Sequence, residues 1–157
     1  MTQTQEFAQL EATVDINASP AQVWALVTDV KRMAEWSPQV VRCTIKGDGV
    51  EQGTRFSNLN RQGLLFWRTK GKVVRFDPHR DFAFRIAENR TIWSFELAPL
   101  PGGGTRVTQR RELPDGISTI SLRLTKVLLG GLDTFTDRLR GGMGETLDRI
   151  KAEAEAA

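Results

Sequence analysis

One cysteine, one histidine and no tyrosine stand in 157 residues. A lone Cys43 excludes an intramolecular disulfide, and a reducing, cytoplasmic setting is the simplest reading. A lone His79 leaves no His/Cys cluster for a metal and no Cys–His pair. A Ser-His-Asp triad would have to use that residue, which lies in the turn Asp77-Pro78-His79-Arg80-Asp81 and is badly placed for the role. With no tyrosine there is no phenol acid, so acid–base chemistry would need a carboxylate, and the carboxylates fall mostly at turns or on outer faces. No catalytic constellation is recognisable. Gly102-Gly103-Gly104 joins two strands and does not open a helix, so it is no phosphate cradle. No metal or cofactor is expected. No apolar run approaches the ~20 residues that span a bilayer, and Met1 to Ala8 lacks the pattern of a signal peptide.

What is present is an ordinary globular composition, 39% hydrophobic and 26% charged, in a length that suits one domain over 1–157 with a real core. The net charge of +3 is laid out unevenly. Residues 1–30 hold four acids and no base, residues 31–90 thirteen bases and six acids, and residues 91–157 nine of each. The basic middle reads first as the solvated outer face of a sheet; an anionic ligand, a membrane surface or nucleic acid are the alternatives. The bases are spread over several strands, so nucleic acid is not the expected partner.

Periodicity carries the architecture. Leu132, Phe135, Leu139, Met143, Leu147 and Ile150 recur at steps of three and four, one apolar stripe along a long C-terminal helix. Charged residues, Arg138 among them, fall largely on its other side. The spacing predicts a break at Gly130-Gly131 and leaves Gly141-Gly142-Met143-Gly144 as either plain helix or room for a ligand. Leu10 to Ile16 alternates as a half-buried strand. Ser19-Pro20-Ala21-Gln22 has serine at the N-cap, proline at N1 and glutamine at N3, a capping box that starts a helix. A second short helix, Met33 to Trp36, stops before Ser37-Pro38.

From Gln39 the period is two. Strands are predicted around Val41–Ile45, at Thr54–Leu59 with a turn at Asn60-Arg61-Gln62-Gly63, and at Leu65–Phe76 with a bulge near Gly71. Further strands follow around Phe82–Ile86, Trp93–Leu97 and Arg106–Arg111. Hairpin spacing implies an antiparallel sheet. The fold class is therefore α+β: a curved seven-stranded antiparallel sheet around a long C-terminal helix, with two short helices between strands 1 and 2. Such a sheet gripping a helix leaves a cleft where small molecules bind.

On several stretches the chain resembles the SRPBCC (START-like, polyketide cyclase/dehydrase) superfamily, the helix-grip or Bet v1-like fold. They are Ala18-Ser19-Pro20-Ala21-Gln22-Val23-Trp24, Asp29 through Pro38, Gly53-Thr54-Arg55-Phe56, Trp67 through Pro78, Trp93-Ser94-Phe95-Glu96-Leu97, and Gly142-Met143 with Thr146-Leu147. The resemblance implies an apolar cavity that takes lipids, sterols or polyketides, in proteins of which some are cyclases or aromatases.

Strand parity names the cavity lining. Phe56, Trp67, Phe84, Trp93, Phe95 and Val107 share the concave face, Phe135, Leu139 and Met143 close it from the helix, and Trp36 closes it from the short helices. Asn58, Gln109 and Arg111 are the polar groups on that face that would orient a ligand's polar end. The expected function is sequestration or transport of a small hydrophobic or amphipathic molecule, with a polyketide cyclase or dehydratase using the same cavity as the alternative. Ile120–Leu129 is read as a capping helix, a lid, a subunit contact or a peripheral membrane contact. Monomer and homodimer both stay open.

Overall fold

A computed structural model describes residues 9–114 and 132–156, with the side chains of 9 and 132–136 excepted. The segment 117–131 and the Gly130-Gly131 break lie outside the described residues, as do the side chains of Leu132 and Phe135. The order is β1 (Gln9–Ile16), α1 (Pro20–Val27), a 3-10 turn at Val30–Arg32, α2 (Met33–Trp36), β2 (Val40–Ile45), β3 (Arg55–Gln62), β4 (Leu65–Asp77), β5 (Asp81–Ile86), β6 (Ile92–Pro99), β7 (Thr105–Glu112) and α3 (Leu132–Ala156). The seven strands form one curved antiparallel sheet in the order β1-β7-β6-β5-β4-β3-β2. Only β1 crosses over, pairing with β7 along its length; the rest is a meander.

The helix start is built as its residues require. The Ser19 hydroxyl accepts from Gln22 N at 3.2 Å and the Gln22 side chain accepts from Ser19 N at 3.0 Å, so two otherwise orphaned donors are satisfied reciprocally. Val23, Trp24 and Val27 turn inward from α1. The long helix presents Leu139, Met143, Leu147, Ile150 and Ala154 to the interior and packs chiefly along β1, with contacts to α1 and α2. It runs unbroken through Gly141, Gly142 and Gly144.

One local expectation is corrected and another is refined. Asn60, Arg61 and Gln62 are not a turn: β3 continues through them, and Asn60 pairs with Trp67 and Gln62 with Leu65. Only Gly63 and Leu64 make the reversal, Gly63 with φ 61°. The β4 bulge expected near Gly71 is present, three residues further on. The register slips between Val73 and Arg75, so Val74 is the extra residue, and this is why Val73 and Phe76 both reach the core side. Gly71 has another cause. It pairs with Phe56 and Ile86, and any Cβ there would land on the Phe56 ring.

Candidate functional site

Between the concave face and the helix lies a cavity of about 160 Å³. The sheet supplies most of its wall: Asn58 and Asn60 from β3, Trp67 and Thr69 from β4, Phe84 and Ile86 from β5, Trp93 and Phe95 from β6, Gln109 and Arg111 from β7. Met33, Trp36 and the stretch Ser37–Val40 close one side, and Leu139, Gly142, Met143 and Thr146 of α3 the other. Strand alternation puts alternate residues of five strands on one surface, and the sheet's curvature turns that surface into a pocket.

Ten of the thirteen residues expected on the cavity face border it: Trp36, Asn58, Trp67, Phe84, Trp93, Phe95, Gln109, Arg111, Leu139 and Met143. Phe56 does not. Its ring fills the space over Gly71 and meets Phe84 edge-on, centroids 5.2 Å apart, so it backs the wall from behind. Val107, also on that face, is fully buried in the core. The side chain of Phe135 is outside the described ones. Arg138, expected on the helix's outer side, sits at the rim, where Gln62 accepts from its Nε at 3.2 Å once the amide is turned oxygen-first. Asn60 was hidden by the misplaced turn; continuing the period of two past Leu59 finds it. Met33 opens the one-turn helix α2, and Ser37–Gln39 link it to Val40 at the start of β2; these pieces are too short for periodicity to signal a lining role.

The polar groups of this cavity are unevenly satisfied. Asn60 Nδ2 donates to Thr69 Oγ1 at 2.9 Å, and Thr146 Oγ1 donates back to Gly142 O at 2.8 Å. Three of its buried atoms have no partner among the described residues: Trp36 Nε1, Asn58 Oδ1 and Gln109 Oε1. Asn58 Nδ2 has only a weak acceptor, Met33 Sδ at 3.4 Å. A buried polar atom without a partner costs about 1–3 kcal/mol. Arg111 is 6% exposed, and burial pulls its guanidinium down to about 10. Trp36 is held from outside: Arg32 stacks over its ring at 4.6 Å and bonds both Glu35, at 2.8 Å, and Glu153 of α3, at 2.6 Å.

Among the described residues the cavity wall carries no carboxylate, histidine or cysteine, and no His/Cys/Asp/Glu group could hold a metal. His79 is exposed in the β4–β5 turn at φ 66°, its ring edge-on to Trp24. Cys43 is buried, and desolvation, with a smaller contribution from Asp29, pushes its thiol up to about 11. It stays protonated at neutral pH.

A seven-stranded sheet gripping a terminal helix around a central cavity defines a helix-grip domain. The chain belongs to the family described as polyketide cyclase / dehydrase and lipid transport, which it matches over residues 8–155. No curated protein matches it significantly. Among solved structures, a polyketide-cyclase-like protein from Corynebacterium glutamicum is 26% identical, with a TM-score of 0.60 over 91% of this chain and 88% of its own. An aromatase/cyclase from a Streptomyces species is 19% identical, with a TM-score of 0.68 over 94% of this chain and 93% of its own. A Colwellia psychrerythraea protein solved as a dimer in solution is 18% identical, with a TM-score of 0.62 over 94% of this chain and 96% of its own. The last two share the fold. No helix among the described residues is long and apolar enough to cross a membrane.

Proposed function

We propose that the protein sequesters or carries a small amphipathic molecule whose apolar ring system lies between the sheet and α3. One observation carries this reading: three buried polar atoms, Trp36 Nε1, Asn58 Oδ1 and Gln109 Oε1, lack partners among the described residues in a cavity walled largely by aromatic and aliphatic side chains. A purely apolar ligand would leave them orphaned. A ligand with an acceptor facing Trp36 and hydroxyls facing the two amides would satisfy them. Asn58 and Gln109 do not satisfy one another, since β3 and β7 stand four strands apart in the sheet; a ligand reaching both amides must be polar at two ends. Size narrows the class further. An engineered apolar cavity of about 150 Å³ takes benzene, so the described cavity of about 160 Å³ houses one or two rings rather than a whole long-chain lipid.

Trp67 and Trp93 in the wall give the assay its signal. Titration with 2-naphthol and with naphthalene should quench tryptophan fluorescence, with the naphthol bound about tenfold more tightly for each orphaned atom it satisfies. Mild extraction of the purified protein followed by mass spectrometry identifies any ligand carried along. Equal affinity for the two probes, or binding of neither, would end this reading. The enzymatic alternative, cyclisation or dehydration of a polyketide-like chain, uses the same cavity with Arg111 beside a developing enolate oxygen. Substrate turnover that is lost in Arg111→Gln would replace sequestration with catalysis.

A further inference from the structure

The convex face of the sheet divides into two halves of different electrical character. On the β1-β7-β6 half, and as far as Arg75 near the end of β4, arginines are matched by acids. Arg106 pairs with Asp15 at 2.8 Å, Arg110 with Glu11 at 2.8 Å and Glu96 at 3.0 Å, and Arg75 with Asp81 and Glu112, both at 2.7 Å. On β2, β3 and the first part of β4 nothing of the kind exists. Val40–Ile45, Arg55–Gln62 and Leu65–Lys72 contain no acidic residue. Their outward positions carry Arg42, Arg55, Arg61, Arg68, Lys70 and Lys72, none in an ion pair with a described residue. Arg42 and Arg68 flank Leu59 in one cross-strand row, and Arg55 lies directly beside Lys72 in another. Like charges placed opposite one another destabilise a sheet, so folding alone does not account for the arrangement.

The same corner holds all three exposed large hydrophobics of the described residues: Leu64 at 94%, Phe66 at 52% and Val41 at 47% exposure. Leu64 is the tip of the β3–β4 hairpin. Phe66 shares the outward face with Arg68 and Lys70, and Arg61 stacks over its ring at 5.4 Å. Scattered exposed apolar residues are normal; three together beside six bases with no ion pair among the described residues are a pattern. The next residue after Phe66, Trp67, points the opposite way and lines the cavity.

We infer that this cationic corner of β2–β4 docks on an anionic lipid bilayer, with Leu64 and Phe66 entering the headgroup boundary while the bases meet the lipid phosphates. Bases near such a surface each strengthen binding about fivefold, and apolar side chains add insertion. A nucleic-acid strand would engage the bases but gains nothing from an aliphatic tip. The proposal stands apart from the cavity's ligand, since it rests on the opposite face of the sheet.

Co-sedimentation with vesicles tests it. The protein should pellet with vesicles of equimolar phosphatidylcholine and phosphatidylglycerol, not with phosphatidylcholine alone, and should be released in about 1 M salt, where the screening length falls to about 3 Å. Arg68→Glu with Lys72→Glu should weaken vesicle binding at least about 25-fold. Arg106→Glu, a charge reversal on the paired half, should leave it within about twofold. Leu64→Ser with Phe66→Ser should cost about tenfold on vesicles and leave any binding to a deoxythymidine oligonucleotide unchanged. No pelleting with anionic vesicles by a folded protein, equal loss in the Arg106 variant, or oligonucleotide binding as strong as vesicle binding would overturn the inference.

Discussion

Replacing Gly71 with alanine should destabilise the protein, although the same change in most strands would help. Gly71 has no positive φ, so alanine fits the backbone, and relieving a strand glycine of its entropy is ordinarily worth about 0.5–1 kcal/mol. The side chain is the obstacle. Its Cβ would fall on the Phe56 ring. That ring is 3% exposed and cannot retreat, because Phe84 stands edge-on behind it at 5.2 Å and Phe82 lies 6.1 Å beyond Phe84. Overpacking of this kind costs about 1–3 kcal/mol, which leaves a net loss of about 1–2 kcal/mol. For a chain of this length that lowers the melting temperature by about 3–6 °C. Urea unfolding followed by circular dichroism measures it. A double-mutant cycle identifies the cause: Phe56→Leu should cost less in the Gly71→Ala background than alone, with a coupling of about 0.5–3 kcal/mol. Displacement of Phe56 drives Phe84 into the cavity, so the alanine variant should also bind 2-naphthol more weakly. An alanine variant as stable as the parent, or two substitutions that simply add, would refute the steric account.

Asn58→Leu and Gln109→Leu should leave stability unchanged or raise it, since each removes a buried atom without a partner, while lowering affinity for 2-naphthol but not for naphthalene; a clear drop in melting temperature would mean the amides are structural. Glu112 is held below its ordinary 4.5, first by its hydrogen bond to Arg75. A carboxyl depressed in the folded state contributes stability that is complete above its unfolded value and is lost as pH falls through the folded one, so acid unfolding below about pH 4.5 should be less steep in Arg75→Met, measured by urea midpoints across that range. Cys43, with its thiol pushed up to about 11 and 8% exposed, should resist alkylation by iodoacetamide at pH 8 in the native state and react fully in urea.

Much of this fold was legible because its strands alternate cleanly. Phe82, Phe84 and Ile86, or Trp93, Phe95 and Leu97, can face only one way in a paired strand, and the sheet turns them inward as that parity demands, all buried except the half-buried Trp93. The same rule found Asn58, Gln109 and Arg111, polar residues standing in line with aromatic ones. It failed where local composition imitates something else. Asn60-Arg61-Gln62-Gly63 has turn chemistry, yet pairing with Trp67 to Leu65 on β4 overrides it. Glycine often marks a bulge, and one lies three residues on, at the β-branched Val74, but Gly71 itself is set by the close approach of Phe56, which excludes any side chain. Parity names a face but not a depth: Phe56 and Trp67 share the concave side, and only packing decides that one ring backs the wall while the other borders the space.

The two faces of β4 bring these threads together. Residues Phe66 to Val73 alternate between the cavity and the solvent, and each set departs from what stability alone would choose. Inward, Trp67 and Thr69 border a space that the fold leaves unfilled, although a packed core of the same size would gain several contacts per side chain. Outward, Arg68, Lys70 and Lys72 have no ion-pair partner among the described residues and share that face with Arg55, although the β7 side of the same sheet places an acid against nearly every base. Either departure could be a tolerated flaw. Both occur within eight consecutive residues, next to the most exposed leucine of the described chain, and that coincidence fits a strand shaped by contacts with two other molecules, one inside the sheet and one outside it.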